Sequence, residues 1–282
     1  VSQAVLRQAW FLLLASCASA ASVHSPSSDG SGQDAADVLF SEVQPASSVP
    51  SWSDLRLIVP APELPDTVSP QEANNNLDVV QVEGRTVLAF RTAPSHFASA
   101  TARIEVVSTP DDVSWTHEAT FAPGSDVREP RLVHLNGRTL LYYAVLGPDA
   151  GTFEPQGARF SERKPDGSWT PAQPCLPDTF IPWRIHVDQG KAWMAGYTNG
   201  AKVYADGASA IDVHWLQSSD GEHWQPVVPG NPVVYSGGVS ETDVALLPGG
   251  GLVAVGRDEA GDALGFGSVV CSATSATAPW QC

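Results

Sequence analysis

One methionine, four cysteines and 15 lysines and arginines in 282 residues leave several chemistries without material. Neither a C-x-x-C nor an H-E-x-x-H spacing occurs, so no common metal framework is written into the chain and no metal or other cofactor is expected. The longest N-terminal apolar run, Ala9 to Ala15, is too short to span a bilayer as a helix. No long amphipathic helical period is present. Basic residues form no patch. They face 31 acidic ones, for a net charge of −16, so nucleic acid and anionic membrane surfaces are poor partners and the charge reads as solubility.

What is abundant points elsewhere. The chain is 43% hydrophobic, with 24 glycines and 23 prolines, the composition of many short strands joined by turns around a large core. The clearest turn is Ser218-Ser219-Asp220-Gly221-Glu222-His223-Trp224, in which Asp and Gly suit a tight bend and the Trp opens the next strand. Looser copies are Ser108 to Trp115 and Pro165 to Trp169, and Trp280 follows a Ser/Thr-rich turn. Trp115, Trp169, Trp224 and Trp280 recur at intervals of 54, 55 and 56 residues, a repeat rather than an accident.

Each repeat reads as a hairpin followed by a variable loop, a third strand and the Trp turn. The hairpins run Asn76 to Arg91, Glu129 to Ala144, Pro182 to Tyr197 and Glu241 to Arg257, turning at Gly84, Gly137, Gly190 and Pro248 to Gly251. Third strands fall at 102–108, 157–163, 211–218 and 266–272, and a fourth after each Trp would complete an antiparallel blade. The expected fold is an all-β β-propeller over 51–282, with blades near 76–125, 126–180, 181–235 and 239–282. A β-sandwich or irregular solenoid is the alternative. Four blades are visible where five or six are expected, so the chain reads as C-terminally incomplete. Leu55 to Pro60 alternates and reads as one more outer strand.

Inner strands of a propeller deliver their ends to one shared channel mouth. Eight residues before each turn lie Asn76, Glu129, Pro182 and Glu241; six before it lie Asp78, Arg131, Arg184 and Asp243; Arg91 and Arg257 end two of the second strands. The mouth is thus expected to mix carboxylates with guanidiniums. Asp78, Glu129 and Glu241 are the candidate catalytic groups, because glycoside hydrolysis needs one carboxyl protonated and a second ionised. Arg91, Arg131, Arg184 and Arg257, with Asp243, His96 and Trp183, are the candidate substrate contacts. Trp183 and Tyr197 would stack on sugar faces. Salt bridges between blades are the plain alternative for the charged residues, and blade packing is the reading for the four periodic tryptophans. His134 and His186 form no metal pair.

Two family resemblances follow from these residues. The Ser-x-Asp-Gly-x-x-Trp turn resembles the Asp-box of sialidases, shortened by one residue between Asp and Gly. Glu241 to Arg257 is similar to the sialidase segment that joins a glutamate to an arginine of the carboxylate-binding triad. That likeness implies triad roles for Arg257 and Arg91, but supplies no match for the family's nucleophilic tyrosine, and places His96 where its acid/base aspartate would lie. Arg128-Glu129-Pro130 resembles the Arg-Asp-Pro segment of five-bladed furanosidase- and arabinanase-type glycosidases, with Glu for Asp. It implies Asp78 as base, Glu129 as orienting carboxylate and Glu241 as acid. Either resemblance implies a carbohydrate substrate or ligand; a propeller that binds glycan or protein without catalysis is the competing expectation, and a monomer is expected in both cases.

The N-terminus reads separately. Leu14-Ala15-Ser16-Cys17, after Arg7 and the apolar run, resembles the bacterial lipobox and implies a signal peptide over 1–17, a lipid anchor on Cys17 and an exported, membrane-anchored protein. The alternative is an ordinary signal peptide cleaved after Ala18 or Ala20. Residues 18–50, rich in Ser, Ala, Gly and Asp, read as a tether. In an oxidising compartment Cys271 and Cys282 would close one short loop and leave Cys175 a buried thiol.

Overall fold

The computed structural model describes residues 54–204 and 211–282. The lipobox with Cys17 and the 18–50 tether therefore lie outside the described residues. Alternating apolar patterns bounded by turn residues give sixteen strands in four antiparallel sheets among the described residues.

Blade 1 comprises β1 (Ala73–Val82), β2 (Arg85–Ala93), β3 (Arg103–Thr109) and β4 (Thr116–Phe121), paired in that order. Blade 2 comprises β5 (Asp126–Leu135), β6 (Arg138–Leu146), β7 (Pro155–Arg163) and β8 (Gln173–Pro174), again in order. In blade 3, β9 (Ile181–Asp188), β10 (Lys191–Thr198) and β11 (Ile211–Ser218) are followed by an outer position split in two. There β12 (Gln225–Pro226) and β13 (Val233–Gly237) pair with different stretches of β11. Blade 4 has β14 (Asp243–Leu246), β15 (Leu252–Arg257) and β16 (Ser268–Ala273), with a single bridge from Ser272 to Gln281 at the outer position. The expected hairpins and third strands are all present. The fourth strand is full in blade 1 and shorter or broken in the others.

Successive blades pack face to face. Val87, Ala89, Ile104 and Val106 meet Leu132, Leu141 and Tyr143 between blades 1 and 2. Leu135, Leu140 and Tyr142 meet Met194 and Leu216 between blades 2 and 3, and Trp215 meets Leu252 and Ala254 between blades 3 and 4. The periodic tryptophans wedge into these interfaces: Trp169 into the first, Trp224 into the second, Trp280 into the third. They are blade packing, as the repeat implied.

Trp115 differs, because among the described residues no blade lies before its own. It packs with Ile58, Val59, Leu64 and Val68 on the far face of blade 1. This corrects the reading of Leu55 to Pro60 as a strand. The segment forms no ladder; its alternation serves to lay Ile58 and Val59 on Leu88 and Phe90, in the place a preceding blade holds for the other tryptophans. The disulfide Cys271–Cys282 ties β16 to the last residues, and Cys175 is a free, half-buried thiol.

Candidate functional site at the channel mouth

The inner strands β1, β5, β9 and β14 begin at one end of the channel, and each second strand returns there. In three of them a bulge decides what is presented. An extra residue interrupts the inner ladder around Asn76 in β1, Glu129 and Pro130 in β5, and Trp183 in β9, the local device that re-aims a side chain. Asn76 and Glu129 are also held at positive φ, 44° and 53°, an uncommon conformation for residues other than glycine.

Glu129 stands at the centre of the first cluster and is 8% exposed. One of its oxygens accepts from the Asn76 amide of blade 1; the other accepts from the Arg131 guanidinium at 2.8 Å. Arg131 also donates to the Trp183 carbonyl and lies over the Trp183 ring, 5.1 Å from its centroid. Blades 1, 2 and 3 thus meet through Glu129. Burial raises its carboxyl above the ordinary glutamate range, although Arg131, Arg128 and Arg91 all act against that shift.

Glu241 enters from blade 4. It accepts from Arg257 at 3.1 Å, and Arg257 lies 3.3 Å from Glu259, which Ser240 also holds. Burial raises the Glu241 carboxyl too, and the Glu129 and Glu259 charges add to the rise against the pull of Arg257. Unlike Glu129, Glu241 keeps 29% of its side chain exposed. Tyr197, at the end of β10, feels the charge of both glutamates; burial, above all, holds its phenol far above its ordinary range.

Other sequence candidates are placed differently. Arg91 is wholly buried. It pairs with Asp126 at 2.7 Å and donates to Asn75 and to the carbonyls of Ser95 and Phe97. Its donors are taken up by protein acceptors, which corrects the expectation that it grips substrate. Tyr197 is likewise buried, packed with Leu146, Ile181 and Ile211, so its ring is not a stacking platform. Asp78 accepts the amides of Val79 and of Leu132 in the next blade; Asp243 pairs with His186 at 2.6 Å and Arg184 at 3.2 Å. Both aspartates lie two residues further along their strands than Asn76 and Glu241, and both tie one blade to its neighbour. Counting along the strand placed these residues at the mouth, but Asp78, beyond the bulge at Asn76, is held by Leu132 of blade 2, and Asp243 by His186 and Arg184 of blade 3. His96 bonds to Asn75, and burial together with Arg128 and Arg91 favours its neutral form. His134 contacts Thr139 and His186 contacts Asp243.

Three contributors escaped the sequence reading. Asp126, first in β5, holds Arg91 and Arg128; Glu259 follows β15; Tyr204 lies beyond β10, where burial raises its phenol while Arg257 opposes that rise. No group of three or more His, Cys, Asp or Glu able to hold a metal ion is found among the described residues.

Fold and site together define a β-propeller with paired carboxylates and guanidiniums at its channel mouth. Comparison with known proteins agrees with the fold. No protein-family model matches the sequence, and no curated protein matches it. Among solved structures, a Dyadobacter fermentans protein of unknown function is similar over 74% of this chain and 67% of its own, at 19% identity and a TM-score of 0.58. The sialidase of Trypanosoma rangeli, in complex with sialic acid, is similar over 75% of this chain and 37% of its own, at 13% identity and a TM-score of 0.55. An endo-arabinase from Bacteroides thetaiotaomicron aligns over 73% of this chain and 78% of its own, at 14% identity and a TM-score of 0.48. The chain therefore shares the propeller fold of the sialidase and spans little more than a third of that protein.

Proposed function

We propose that the protein hydrolyses glycosides at the channel mouth. The observation that carries this reading is the Glu129–Glu241 pair: two glutamates from different blades, each raised above the ordinary glutamate range by burial and each beside an arginine that opposes the rise. Glu241 is the accessible one and has a second oxygen without a partner among the described residues, so it acts as proton donor to the leaving oxygen. Glu129, clasped by Asn76 and Arg131, orients and charges the floor of the site. Asp78, held between blades by the amides of Val79 and Leu132, is assigned no step. The fold shared with a sialidase supports carbohydrate chemistry without naming the sugar.

A second reading has an observation of its own. Glu129, Glu241 and Asp243 all sit in pairs with arginine, the arrangement of a propeller that binds glycan without cleaving it. A panel of aryl glycosides (sialoside, arabinofuranoside, fructoside, mannoside) separates the two. Hydrolysis predicts turnover of at least one, lost by about a hundredfold to ten-thousandfold in Glu241→Gln. No turnover of any of them leaves the binding propeller.

The protein is further proposed to be exported and anchored through Cys17. The Cys271–Cys282 disulfide supports an oxidising compartment. Labelling of cells with a fatty-acid analogue tests the anchor: incorporation lost in Cys17→Ser supports it, and unchanged incorporation rejects it.

A further inference from the structure

An arginine beside a carboxylate often closes on it with two parallel hydrogen bonds. Two pairs elsewhere in this protein do so. Arg138 reaches Glu162 through Nε at 2.8 Å and Nη2 at 2.7 Å, and Arg163 reaches Glu118 through Nε at 2.8 Å and Nη2 at 2.7 Å. At the mouth the fork is open. Arg131 commits Nε to the Trp183 carbonyl and keeps only Nη2, at 2.8 Å, for Glu129. Arg257 gives Glu241 a single hydrogen bond, from Nη1 at 3.1 Å, while its Nε lies 3.3 Å from Glu259. Among the described residues Nη2 of Arg257 and the second oxygen of Glu241 have no partner.

Glu259 is fixed where it competes for Arg257. Its side chain is 7% exposed, and the oxygen that faces Arg257 also accepts from the Ser240 hydroxyl at 2.6 Å. The Glu259 and Ala260 amides both donate to the Gly238 carbonyl, at 2.7 and 3.2 Å. Only glycine allows that approach, because a methyl group at residue 238 would stand 2.1 Å from the Ala260 side-chain carbon. The short stretch that leads into Glu241 thus also anchors the rival carboxylate. Glu129 of β5, Tyr197 of β10 and Tyr204 interact with the Glu241 charge as well, but among the described residues Glu259 alone shares its arginine.

We infer that Glu259 is a positioning residue: by holding Arg257 through Nε it keeps that guanidinium from closing on Glu241, and so leaves the second oxygen of Glu241 open to a ligand. This rests on Glu241 as the proton donor of the reading above and adds the residue that keeps it fit for that role. Without Glu259, Arg257 turns two donors onto Glu241, and a carboxylate gripped by two charge-assisted hydrogen bonds holds its proton less well. The test is a carbon-13 titration of the full 282-residue protein labelled at its glutamate carboxyls, the Glu241 signal being the one absent from Glu241→Gln. In Glu259→Ala the Glu241 midpoint should fall by about one pH unit, about a tenfold loss of proton affinity. In Glu259→Gln, whose amide oxygen still accepts from Arg257, it should fall by clearly less. Arg257 keeps 41% of its side chain exposed, so neither substitution strands a buried charge. A midpoint that stays or rises in Glu259→Ala overturns the inference. An equal fall in both variants also overturns it, because the effect would then belong to the Glu259 charge and not to its grip. The titration needs no substrate, so absence of aryl-glycoside turnover removes hydrolysis while the midpoint still decides the role of Glu259. Where turnover is found, the alkaline limb of kcat/KM should move down with the midpoint; a limb that stays while the midpoint falls removes Glu241 as proton donor and leaves the grip of Glu259 standing.

Discussion

Arg91 shows how one residue can resemble a ligand contact and be a strut. Its guanidinium joins the end of β2 to the start of β5 through Asp126 and pins the loop of Phe97. Removing one member of a buried pair strands the other, so Arg91→Met should destabilise by roughly 3–5 kcal/mol in chemical denaturation; a change within about 0.5 kcal/mol would show that Arg128 alone satisfies Asp126. Glu241 makes a different claim. Its proton affinity is raised, and a general acid works only while protonated. Activity should therefore fall as pH rises through that raised value, and the alkaline limb of kcat/KM should lie above the ordinary glutamate range. In Glu241→Gln that limb should vanish from whatever activity remains. A limb that persists unchanged would move the proton donor to Glu129.

At the level of elements, the Trp turn of blade 3 joins sequence to packing. Asp220 accepts from the amides of Glu222 and His223, and Ser218 accepts from the amides of Asp220 and Gly221. Gly221 lies at φ 78°, and a methyl group there would stand 2.2 Å from a Leu140 carbon and 2.9 Å from the Tyr142 hydroxyl of the neighbouring blade. Gly221→Ala therefore combines backbone strain with overpacking and should cost about 1–3 kcal/mol, read as a fall in Tm. A Tm within a degree of the parent would mean that blades 2 and 3 separate there at little cost. Such turns, and the alternation they punctuate, are why the hairpins could be located from the sequence. The site was less legible. Asn76 and Glu129 could be placed at strand starts, but nothing in a strand pattern announces a bulge, and the bulge decides whether a charge enters the channel or ties two blades. Asp126 and Glu259 lie just outside the counted positions, and only packing shows that one is buried under Arg91 and the other holds Arg257.

Blade 4 is where the stability of the whole molecule meets the proposed chemistry. It has three strands and a single outer bridge, Ser272 to Gln281, and its far face leaves Val255 and Val270 largely uncovered. Blade 2, by contrast, is packed on both faces. The weakest blade is the first to open in local fluctuations, and the Cys271–Cys282 crosslink, spanning 11 residues, is what restrains its outer edge. A loop of that size contributes on the order of 2–4 kcal/mol. Reduction should thus raise amide exchange across β14 to β16 while β5 and β6 stay protected. Glu241 and Arg257 belong to this blade, so turnover should fall in step with that opening, before any global loss of β-sheet signal. Equal protection of blades 2 and 4 after reduction would show that the Trp215–Leu252 interface, not the disulfide, keeps Glu241 at the mouth.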